Sequence, residues 1–255
     1  MEKNSGVIMV YKKLGETPYQ AILRWKYENP EYKDTIMTYA GRLDPMAEGL
    51  LLVLSGDEIL NKEKYLDLQK TYEFEILWGF ETDTLDVLGK VESYKVCKVH
   101  KVEDIEKELK KLIGKFVQKY PAYSSKPVLG KSLFQWAREG KIGEIEIPSH
   151  EVEIYKAKFI SEKSVSSSEL LKEIISKISL VSGDFRQNEI IENWREVMSK
   201  GTFDMFIIHR ISMTVSSGFY VRQFVSDLAE SLGTSAVTFH IKRTRVGEYD
   251  VKETL

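Results

Sequence analysis

The sequence predicts an α+β protein in which strands and helices alternate along the chain. In residues 70–79, apolar residues recur at every second position, a pattern typical of a strand with one buried face. In residues 102–113, the apolar residues fall on one side of a helix. A short continuous apolar run at residues 50–54 indicates a further strand that is fully buried.

The composition narrows the class of protein. A chain of 255 residues allows one large domain or two small ones, and 42% hydrophobic residues suffice for a sizeable core. The formal net charge is -2, so any surface that binds nucleic acid must be local. The single cysteine, Cys97, excludes an internal disulfide framework and favours a reducing compartment. Since neither a signal peptide nor an apolar run of about 20 residues is evident, we expect a cytoplasmic protein with no membrane span.

The elements can be predicted in chain order. The first is a strand at residues 6–11, followed by a helix for which Thr17 is a suitable N-cap and Pro18 a suitable first residue. The serine-rich residues 161–168 predict a loop. Other predicted elements are strands at residues 151–160 and 207–216 and helices at residues 168–178, 187–198 and 221–232.

One stretch places a single acid, Asp44, at a constrained bend. Pro45 pushes the residue before it out of helical geometry, which limits how the Asp44 backbone can lie. Gly41 and Gly49 bracket the bend, and glycine adopts backbone angles that other residues resist. Because the apolar run at residues 50–54 anchors the bend in the core, the sequence predicts a carboxylate held on a stiff loop.

The sequence around Asp44 resembles the active-site motif of pseudouridine synthases. In Gly41-Arg-Leu-Asp-Pro-Met-Ala-Glu-Gly-Leu-Leu51, the Asp-Pro-x-Ala-x-Gly portion is similar to the TruB family, which modifies the T-loop uridine of tRNA. The Gly-Arg-Leu-Asp portion resembles the related ribosomal RNA synthases. A second TruB block, Lys-x-Tyr followed by Gly-x-x-Thr-Asp-Thr-x-Asp-x-x-Gly, is matched by Lys70-Thr-Tyr72 and Gly79-Phe-Glu-Thr-Asp-Thr-Leu-Asp-Val-Leu-Gly89.

Residues 114–141 resemble the thumb segment of the same family, and we call them the thumb. They carry six lysine or arginine residues against one glutamate, a local net charge of +5 in a chain whose net charge is -2. Aromatic residues such as Tyr120, Tyr123 and Trp136 are interleaved with these cations. Cations contact phosphates and aromatic rings stack on unpaired bases, so the thumb is predicted to bind RNA.

Two blocks near the end of the sequence complete the resemblance. Residues 216–233, with Tyr220 and Arg222, resemble the family block Gly-Thr-Tyr-Ile-Arg-Ser-Leu, and residues 236–249 resemble Leu-x-Arg-x-x-x-Gly with Ile241 in place of the leucine. Arg222 lies in the first turn of a predicted helix, where a cation opposes the helix dipole by up to about 1 kcal/mol. A negative group should offset that cost, and Asp44 is the natural candidate.

The resemblance implies a pseudouridine synthase fold, which is a mixed, largely antiparallel sheet flanked by helices and loops. The catalytic cleft lies along the sheet, and a thumb-like insertion binds RNA. Residues 1–255 would form a single catalytic domain that isomerises uridine 55 in the T-loop of tRNA to pseudouridine. The implied partner is the T-arm of tRNA, with no metal or organic cofactor, and a monomer is expected.

The resemblance also implies roles for individual residues. Asp44 is the expected nucleophile, which breaks the base–sugar bond of a flipped-out uridine, either directly or after an initial attack elsewhere. Arg222 should keep Asp44 ionised and aimed, because a nearby cation favours the carboxylate form. Tyr72 should stack on the base and take part in the final proton removal, and Tyr220 and Ile241 should line the uracil pocket.

Two features depart from the family pattern. The motif before the aspartate usually reads Gly-His-Thr-Gly-Thr-Leu-Asp, whereas Tyr39 here replaces the histidine and Arg42 adds a positive charge. We expect Tyr39 to stack on RNA and Arg42 to contact a phosphate. Residues 161–204 are longer than the usual family connection and form a predicted helical insertion. Whether this insertion packs on the core or touches RNA stays open.

The sequence ends soon after the last block. We therefore expect no C-terminal RNA-binding domain of the PUA type, which many bacterial members of the family carry. RNA affinity must then come from the thumb, the insertion and local basic residues such as Lys242, Arg243 and Arg245.

The sequence also has features of other functions. The Gly-Arg-Leu-Asp motif keeps ribosomal RNA open as the target, and Tyr39 keeps open a non-catalytic tRNA-binding or folding factor. A glycoside hydrolase would need a second acid beside Asp44, and nothing in the sequence places Asp83 or Asp86 there. The four histidines are scattered and Cys97 is alone, so no metal-ligand spacing is present.

Overall fold

The computed structural model of the chain describes residues 5–94, 101–200 and 204–254, and Cys97 lies outside them. No helix within these ranges is long and apolar enough to cross a bilayer. The strands are β1 (Gly6–Lys12), β2 (Met37–Ala40), β3 (Ala47–Ser55), β4 (Lys70–Trp78), β5 (Phe80–Thr82), β6 (Val91–Tyr94), β7 (Gly114–Lys119), β8 (Pro127–Val128), β9 (Lys131–Ser132), β10 (Ser149–Ser166), β11 (Met205–Val215), β12 (Ala236–Val246) and β13 (Tyr249–Asp250). The α-helices are α1 (Pro18–Glu28), α2 (Lys62–Leu66), α3 (Val102–Lys111), α4 (Leu133–Arg138), α5 (Ser167–Ser179), α6 (Gln187–Lys200) and α7 (Val221–Ser231).

One large sheet organises the described part of the chain. Its strands run in the order β1-β3-β12-β4-β11-β10-β7, with β2 paired to β3 and β13 paired to β12. Strands β12 and β3 pair in parallel, whereas the other neighbours in this sheet are antiparallel. The predicted α+β fold with a mixed, largely antiparallel sheet is therefore confirmed. The parallel contact brings the start of β3, just after Asp44, beside Ile241 in β12, so it places two of the predicted site residues near each other.

Gly49 makes this parallel contact possible. Its φ angle is +108°, and a Cβ atom there would lie 2.3 Å from the backbone oxygen of Arg243. A side chain at this position would therefore push β3 away from β12. The glycine noticed in the sequence next to the Asp44 bend is thus required by the close approach of two strands.

The core lies on both faces of the central strands. On one face, the alternating residues of β4 pack with α3 and α7 in a cluster that includes Phe74, Ile76 and Phe224. On the other face, α5 and α6 pack in a cluster with Leu77 and Phe239. Of the two roles left open for residues 161–204, packing on the core is thus observed.

The predicted start of α1 is confirmed in detail. Thr17 is the N-cap, and its hydroxyl accepts a hydrogen bond from the backbone N–H of Gln20 at 3.2 Å. The Gln20 side chain in turn accepts from the Thr17 backbone N–H at 2.7 Å, which completes a capping box. Pro18 occupies the first turn, where its missing N–H has no intrahelical partner to lose.

The prediction of a loop at residues 161–168 is wrong. Strand β10 continues to Ser166, and its last residues pair with β11 in a register that runs from Ser161 opposite Arg210 to Ser166 opposite Met205. The partner strand supplies backbone hydrogen bonds that override the weak strand preference of serine-rich sequence. Ser166 then serves as the N-cap of α5.

Trp194 offers a test of whether the helical segment belongs to the core. Its side chain is fully buried, its ring centroid lies 5.0 Å from that of Phe80, and its Nε1 donates to the backbone oxygen of Val87 at 3.2 Å. We expect Trp194→Ala to lower the free energy of unfolding by about 3–5 kcal/mol, because it leaves a large cavity. The control is Tyr27→Ala, an 88% exposed ring whose loss should cost about 0.5 kcal/mol or less. Denaturant unfolding measures both, and equal values for the two variants would contradict the prediction.

Candidate active site

The seven predicted site residues all line one cleft. The cleft has a volume of about 960 Å³ and opens between the β2–β3 bend, the thumb and the start of α7. The predicted residues in its lining are Tyr39, Arg42, Asp44, Tyr72, Tyr220, Arg222 and Ile241. They come from four regions of the sequence, so the fold brings together what the motifs indicated separately.

Asp44 lies on a tightly bonded bend between β2 and β3. Its backbone oxygen accepts from the Ala47 N–H at 3.0 Å, and the oxygen of Pro45 accepts from the Gly15 N–H at 2.9 Å. The bend starts at Gly41, whose φ of +80° favours glycine. The Asp44 side chain is 32% exposed, so its carboxylate is accessible from the cleft while its backbone is fixed.

Arg222 is buried at the base of this cleft and is 3% exposed. Its Nε donates to Asp44 Oδ2 at 2.8 Å, which confirms the predicted ion pair. Its two terminal nitrogens donate to the backbone oxygens of Thr84, at 2.7 Å, and Tyr123, at 3.2 Å. Burial alone lowers the pKa of Arg222, but the carboxylates of Asp44 and Asp86 more than offset this, so its pKa is raised. The guanidinium therefore stays charged and fixes the direction of the Asp44 carboxylate.

Asp86 is a second acid in this site that the sequence analysis did not place. Its Oδ2 lies 3.8 Å from Arg222 Nε, and its Oδ1 accepts from the Thr84 hydroxyl at 2.7 Å and the Leu88 N–H at 2.9 Å. The pKa of Asp86 is raised to about 6, mainly by burial and also by the neighbouring Asp44, against the lowering effects of Arg222 and Thr84. The expectation that nothing places Asp86 near Asp44 is therefore corrected, because both acids share one guanidinium.

A compact loop from Thr82 to Gly89 holds Asp86 in place. The Thr82 hydroxyl donates to the backbone oxygen of Asp86 at 2.8 Å, and Leu85 adopts a left-handed φ of +63°. A Cβ atom on Gly89 would lie 2.3 Å from the Thr84 hydroxyl oxygen, so no larger residue fits. The Thr-x-Thr-x-Asp-x-x-Gly spacing is the sequence signal that could have identified Asp86, since it encodes this loop.

The remaining predicted residues form the walls of the cleft. Ile241 in β12 lies beside Ala47 in β3, and Tyr72 in β4 pairs with Met213 in β11. Tyr220 is the N-cap residue of α7, next to Arg222. Burial, with a further contribution from Asp44, raises the pKa of the Tyr220 hydroxyl. Asp44 is therefore faced by an apolar and aromatic pocket.

Gln118 in the thumb holds Tyr220 in position. Its side-chain oxygen accepts from the backbone N–H of Tyr220 at 2.9 Å, and its Nε2 donates to the backbone oxygen of Tyr220 at 3.1 Å. Gln118 is fully buried, so these two bonds satisfy groups that water does not reach. The thumb is thus bonded to the start of the helix that carries Arg222.

Cations and rings pair in the thumb, and one of these pairs, Lys126 with Tyr120, lines the cleft. Lys126 lies over the Tyr120 ring, with its Nζ 4.9 Å from the centroid, and Lys131 lies over Trp136 at 4.6 Å. The alternation of charge and aromatic residues seen in the thumb sequence therefore becomes direct contact. Lys131 is also ion-paired with Glu139 at 2.7 Å, so it is the Lys126–Tyr120 pair that presents both a phosphate partner and a stacking surface.

The predicted RNA contact of Arg243 is wrong. The residue was expected to contact RNA, but its side chain is 1% exposed. Its Nε donates to the oxygen of Leu50 at 2.8 Å and its Nη2 donates to the oxygen of Gly41 at 3.1 Å. These carbonyls flank the bend that carries Asp44, so Arg243 stabilises the bend instead. Nearby Lys70 also lines the cleft, and burial together with Arg243 lowers its pKa to about 8.

No group of three or more His, Cys, Asp or Glu side chains that could hold a metal ion occurs among residues 5–94, 101–200 and 204–254. What the site offers chemically is an accessible carboxylate, aimed by a buried cation, at the base of a pocket with aromatic walls. Such a group can act as a nucleophile or stabilise positive charge on a bound sugar.

More than half of the chain matches one known protein family. Residues 31–177 match the model of the family described as TruB family pseudouridylate synthase (N terminal domain). The proteins named tRNA pseudouridine synthase B from Borrelia garinii subsp. bavariensis and Psychrobacter arcticus are each 28% identical to this chain, over 250 and 255 residues. These alignments cover 98% and 99% of this chain, and 72% and 56% of the two relatives.

A solved chain from the crystal structure of a Cbf5-Nop10-Gar1 complex has a similar fold. The TM-score is 0.59 at 16% sequence identity, and the match covers 98% of this chain and 51% of the solved one. The chain thus spans about half the length of that structural relative.

Asp86 makes the stability of the folded chain depend on pH. The folded chain keeps the proton on Asp86 up to about pH 6, whereas an unfolded aspartate releases it near pH 3.8. Between these values the folded state holds more protons than the unfolded state, so this carboxyl lowers stability as the pH rises, by about 3 kcal/mol in total. We expect Asp86→Asn to remove that loss. The unfolding free energy of wild type minus that of the variant should therefore fall as the pH rises from 4 to 7.5. Urea unfolding across this range measures the difference, and a constant value would contradict the prediction.

Proposed function

The chain belongs to the TruB family of pseudouridylate synthases, and from this premise we propose that it isomerises a uridine of tRNA to pseudouridine. The observation that carries the proposal is the 2.8 Å ion pair between Asp44 and Arg222 at the base of an open cleft. The name of its relatives, tRNA pseudouridine synthase B, supports tRNA as the substrate. The similarity of residues 41–51 to the TruB motif supports uridine 55 in the T-loop as the target.

The reaction requires the base to leave the RNA stack. A uridine held in a loop hides its reactive atoms, so the proposed substrate is a flipped-out nucleotide. The cleft volume of about 960 Å³ accommodates a nucleotide. In the proposed complex the uracil lies among Tyr72, Tyr220 and Ile241, with its sugar towards Asp44.

The chemistry is an isomerisation that conserves every atom. The bond between N1 of uracil and C1′ of ribose breaks, the base turns, and a bond forms between C5 and C1′. One proton leaves C5 and one is taken up at N1. Asp44 is the proposed nucleophile, acting at the sugar or after an initial attack on the base. Tyr72 is proposed to stack on the base and to assist removal of the C5 proton.

The RNA backbone is proposed to bind along the thumb and the β2–β3 bend. The thumb carries a local excess of positive charge in a chain of net charge -2. At the bend, Arg42 donates to the Tyr39 hydroxyl at 3.4 Å, so the exposed Arg42 and the half-buried Tyr39 form one polar and aromatic surface. Arg42 is proposed to contact a phosphate and Tyr39 to stack on the T-arm.

The same proposal covers the cellular setting. All seven site residues belong to one chain, which supports a monomer as the active form. The single cysteine supports a reducing compartment, and we propose the cytoplasm.

Replacing the nucleophile tests the chemistry. We expect Asp44→Asn to lower the single-turnover rate of pseudouridine formation by about 10⁴-fold or more, because the carboxylate is the reacting group. Its affinity for tRNA should stay within about threefold of wild type, because the thumb contacts are intact. The control is Asp34→Asn, an exposed acid outside the cleft, which should retain full activity. Rapid-quench assays on a T-arm transcript measure the rates, and substantial turnover by the Asp44 variant would disprove the assigned role.

The RNA target is tested separately. We expect the enzyme to form one pseudouridine in a T-arm hairpin transcript and none in a matched hairpin with cytidine at position 55. Ribosomal RNA fragments, favoured by the Gly-Arg-Leu-Asp motif, serve as competing substrates. Primer-extension mapping identifies the modified position. Product only in ribosomal RNA would move the target to that RNA, and no product in either RNA would support a binding or folding factor.

A further inference from the structure

The tip of the helical segment reaches the cleft, although the proposed reaction does not use it. Helices α5 and α6 are joined by residues 180–186, and Asp184, Phe185 and Arg186 of this connection line the cleft. Asp184 accepts a hydrogen bond from Arg138 of the thumb through its backbone oxygen. The segment therefore forms part of the cleft wall and contacts the thumb.

Helix α6 also supports the loop that carries Asp86. Trp194 donates to the oxygen of Val87 at 3.2 Å, and the side-chain oxygen of Asn193 accepts from the Val91 N–H at 2.6 Å. The first bond reaches the loop between Thr82 and Gly89, and the second reaches the start of β6, the strand that follows the loop. The loop is thus held by Arg222 from within and by α6 from outside.

Arg186 links this outer support to the thumb. Its Nη1 donates to Asp83 Oδ2 at 2.7 Å, and its guanidinium carbon lies 4.9 Å from the centroid of the Tyr123 ring. The Tyr123 hydroxyl donates to the same Asp83 oxygen at 3.0 Å. The backbone oxygen of Tyr123 accepts from Arg222 at 3.2 Å. A continuous series of contacts therefore runs from Arg186 through Tyr123 to the cation that aims the nucleophile.

The connection is built to hold Arg186 in this position. Arg186 has a left-handed φ of +62°, which residues with a Cβ atom seldom adopt unless their surroundings fix it. Gln187 fixes it by donating to the oxygens of Val181, at 2.9 Å, and Gly183, at 2.7 Å, and by accepting from the Phe185 N–H at 3.0 Å. The arginine side chain is thus presented by a pre-formed turn.

The charges argue against a direct RNA contact by this arginine. The Arg186 side chain is 23% exposed, and its charge is already paired with Asp83. The whole segment, residues 161–204, carries eight acidic against six basic residues, unlike the thumb. A surface of that charge does not attract phosphates.

From these contacts we propose that Arg186 is a positioning residue for the isomerisation. It holds Asp83 and Tyr123 together and so fixes the thumb against Arg222 before RNA binds. It touches neither the base nor the reacting atoms, and it acts through Tyr123 and Arg222 on the aim of Asp44. The inference deepens the proposed function and rests on it.

The test uses the full chain with four variants. Arg186→Gln removes the charge, and Arg186→Lys keeps the charge but loses the planar group over the Tyr123 ring. Asp83→Asn removes the shared acceptor and is also combined with Arg186→Gln. The matched control is Arg195→Gln, an exposed arginine on helix α6, which follows the connection that carries Arg186. Single-turnover rates at saturating T-arm transcript, transcript affinity, melting temperature and hydrogen exchange of residues 120–138 without RNA are measured for each.

Arg186→Gln should lower the saturated rate by about 10- to 100-fold, because a small displacement of the catalytic groups is costly. Its transcript affinity should change by about threefold or less, and its thumb amides should exchange about tenfold faster. Arg186→Lys should be intermediate, and Arg195→Gln should match wild type. The double variant should be no slower than the slower single variant, because both residues act through one contact.

Three results would overturn the inference. One is a wild-type rate and wild-type thumb exchange in Arg186→Gln. Another is a loss confined to transcript affinity with a shallower salt dependence, which would make Arg186 a phosphate contact. The third is a fall in the melting temperature of Arg186→Gln that is equally large in the control Arg195→Gln. If wild type forms no pseudouridine, the proposed function fails by itself, and thumb exchange alone then decides the inference, with unchanged exchange in Arg186→Gln overturning it.

Discussion

The site depends on one buried guanidinium. Arg222 is held away from water, and a buried charge is tolerated only when it is paired and its hydrogen bonds are satisfied. Three of its nitrogens find partners on three separate parts of the chain: the Asp44 bend, the loop at Thr84 and the thumb at Tyr123. A lysine could not serve in this way, because its single ammonium lacks the planar fork that reaches three directions at fixed angles. The cleft is therefore assembled around a cation.

The two acids beside this cation have different environments. The Asp44 side chain is 32% exposed to the cleft, whereas the Asp86 side chain is 7% exposed and bonded to Thr84 and Leu88. Burial raises the pKa of Asp86, and that is the cost of keeping a second carboxylate next to Asp44. Differences of this kind let one of two neighbouring carboxyl groups react while the other supports the site. Asp86 is thus best understood as a partner of the cation.

Sequence reasoning succeeded where the information is local and failed where it depends on distant pairing. The capping of α1 by Thr17 and the alternation in β4 are encoded within a few residues, and both are present in the structure. The Thr-x-Thr-x-Asp-x-x-Gly spacing encodes the loop that holds Asp86, but the contact of this loop with Arg222 in α7 depends on residues far apart in the sequence. The extension of β10 to Ser166 depends on its partner strand, and the burial of Arg243 depends on the parallel contact with β3.

The long connection at residues 161–204 can be accommodated without disturbing the cleft. The apolar faces of α5 and α6 join the core on the side of the sheet away from α7, so the segment is held by burial. Its polar contacts fall on the outside of the Thr82–Gly89 loop and on the thumb, which are the two elements that Arg222 binds from within. A site supported from both sides loses less conformational freedom when substrate binds, and pre-organisation of this kind lowers the cost of reaching the reactive geometry. The segment can therefore assist catalysis without touching RNA.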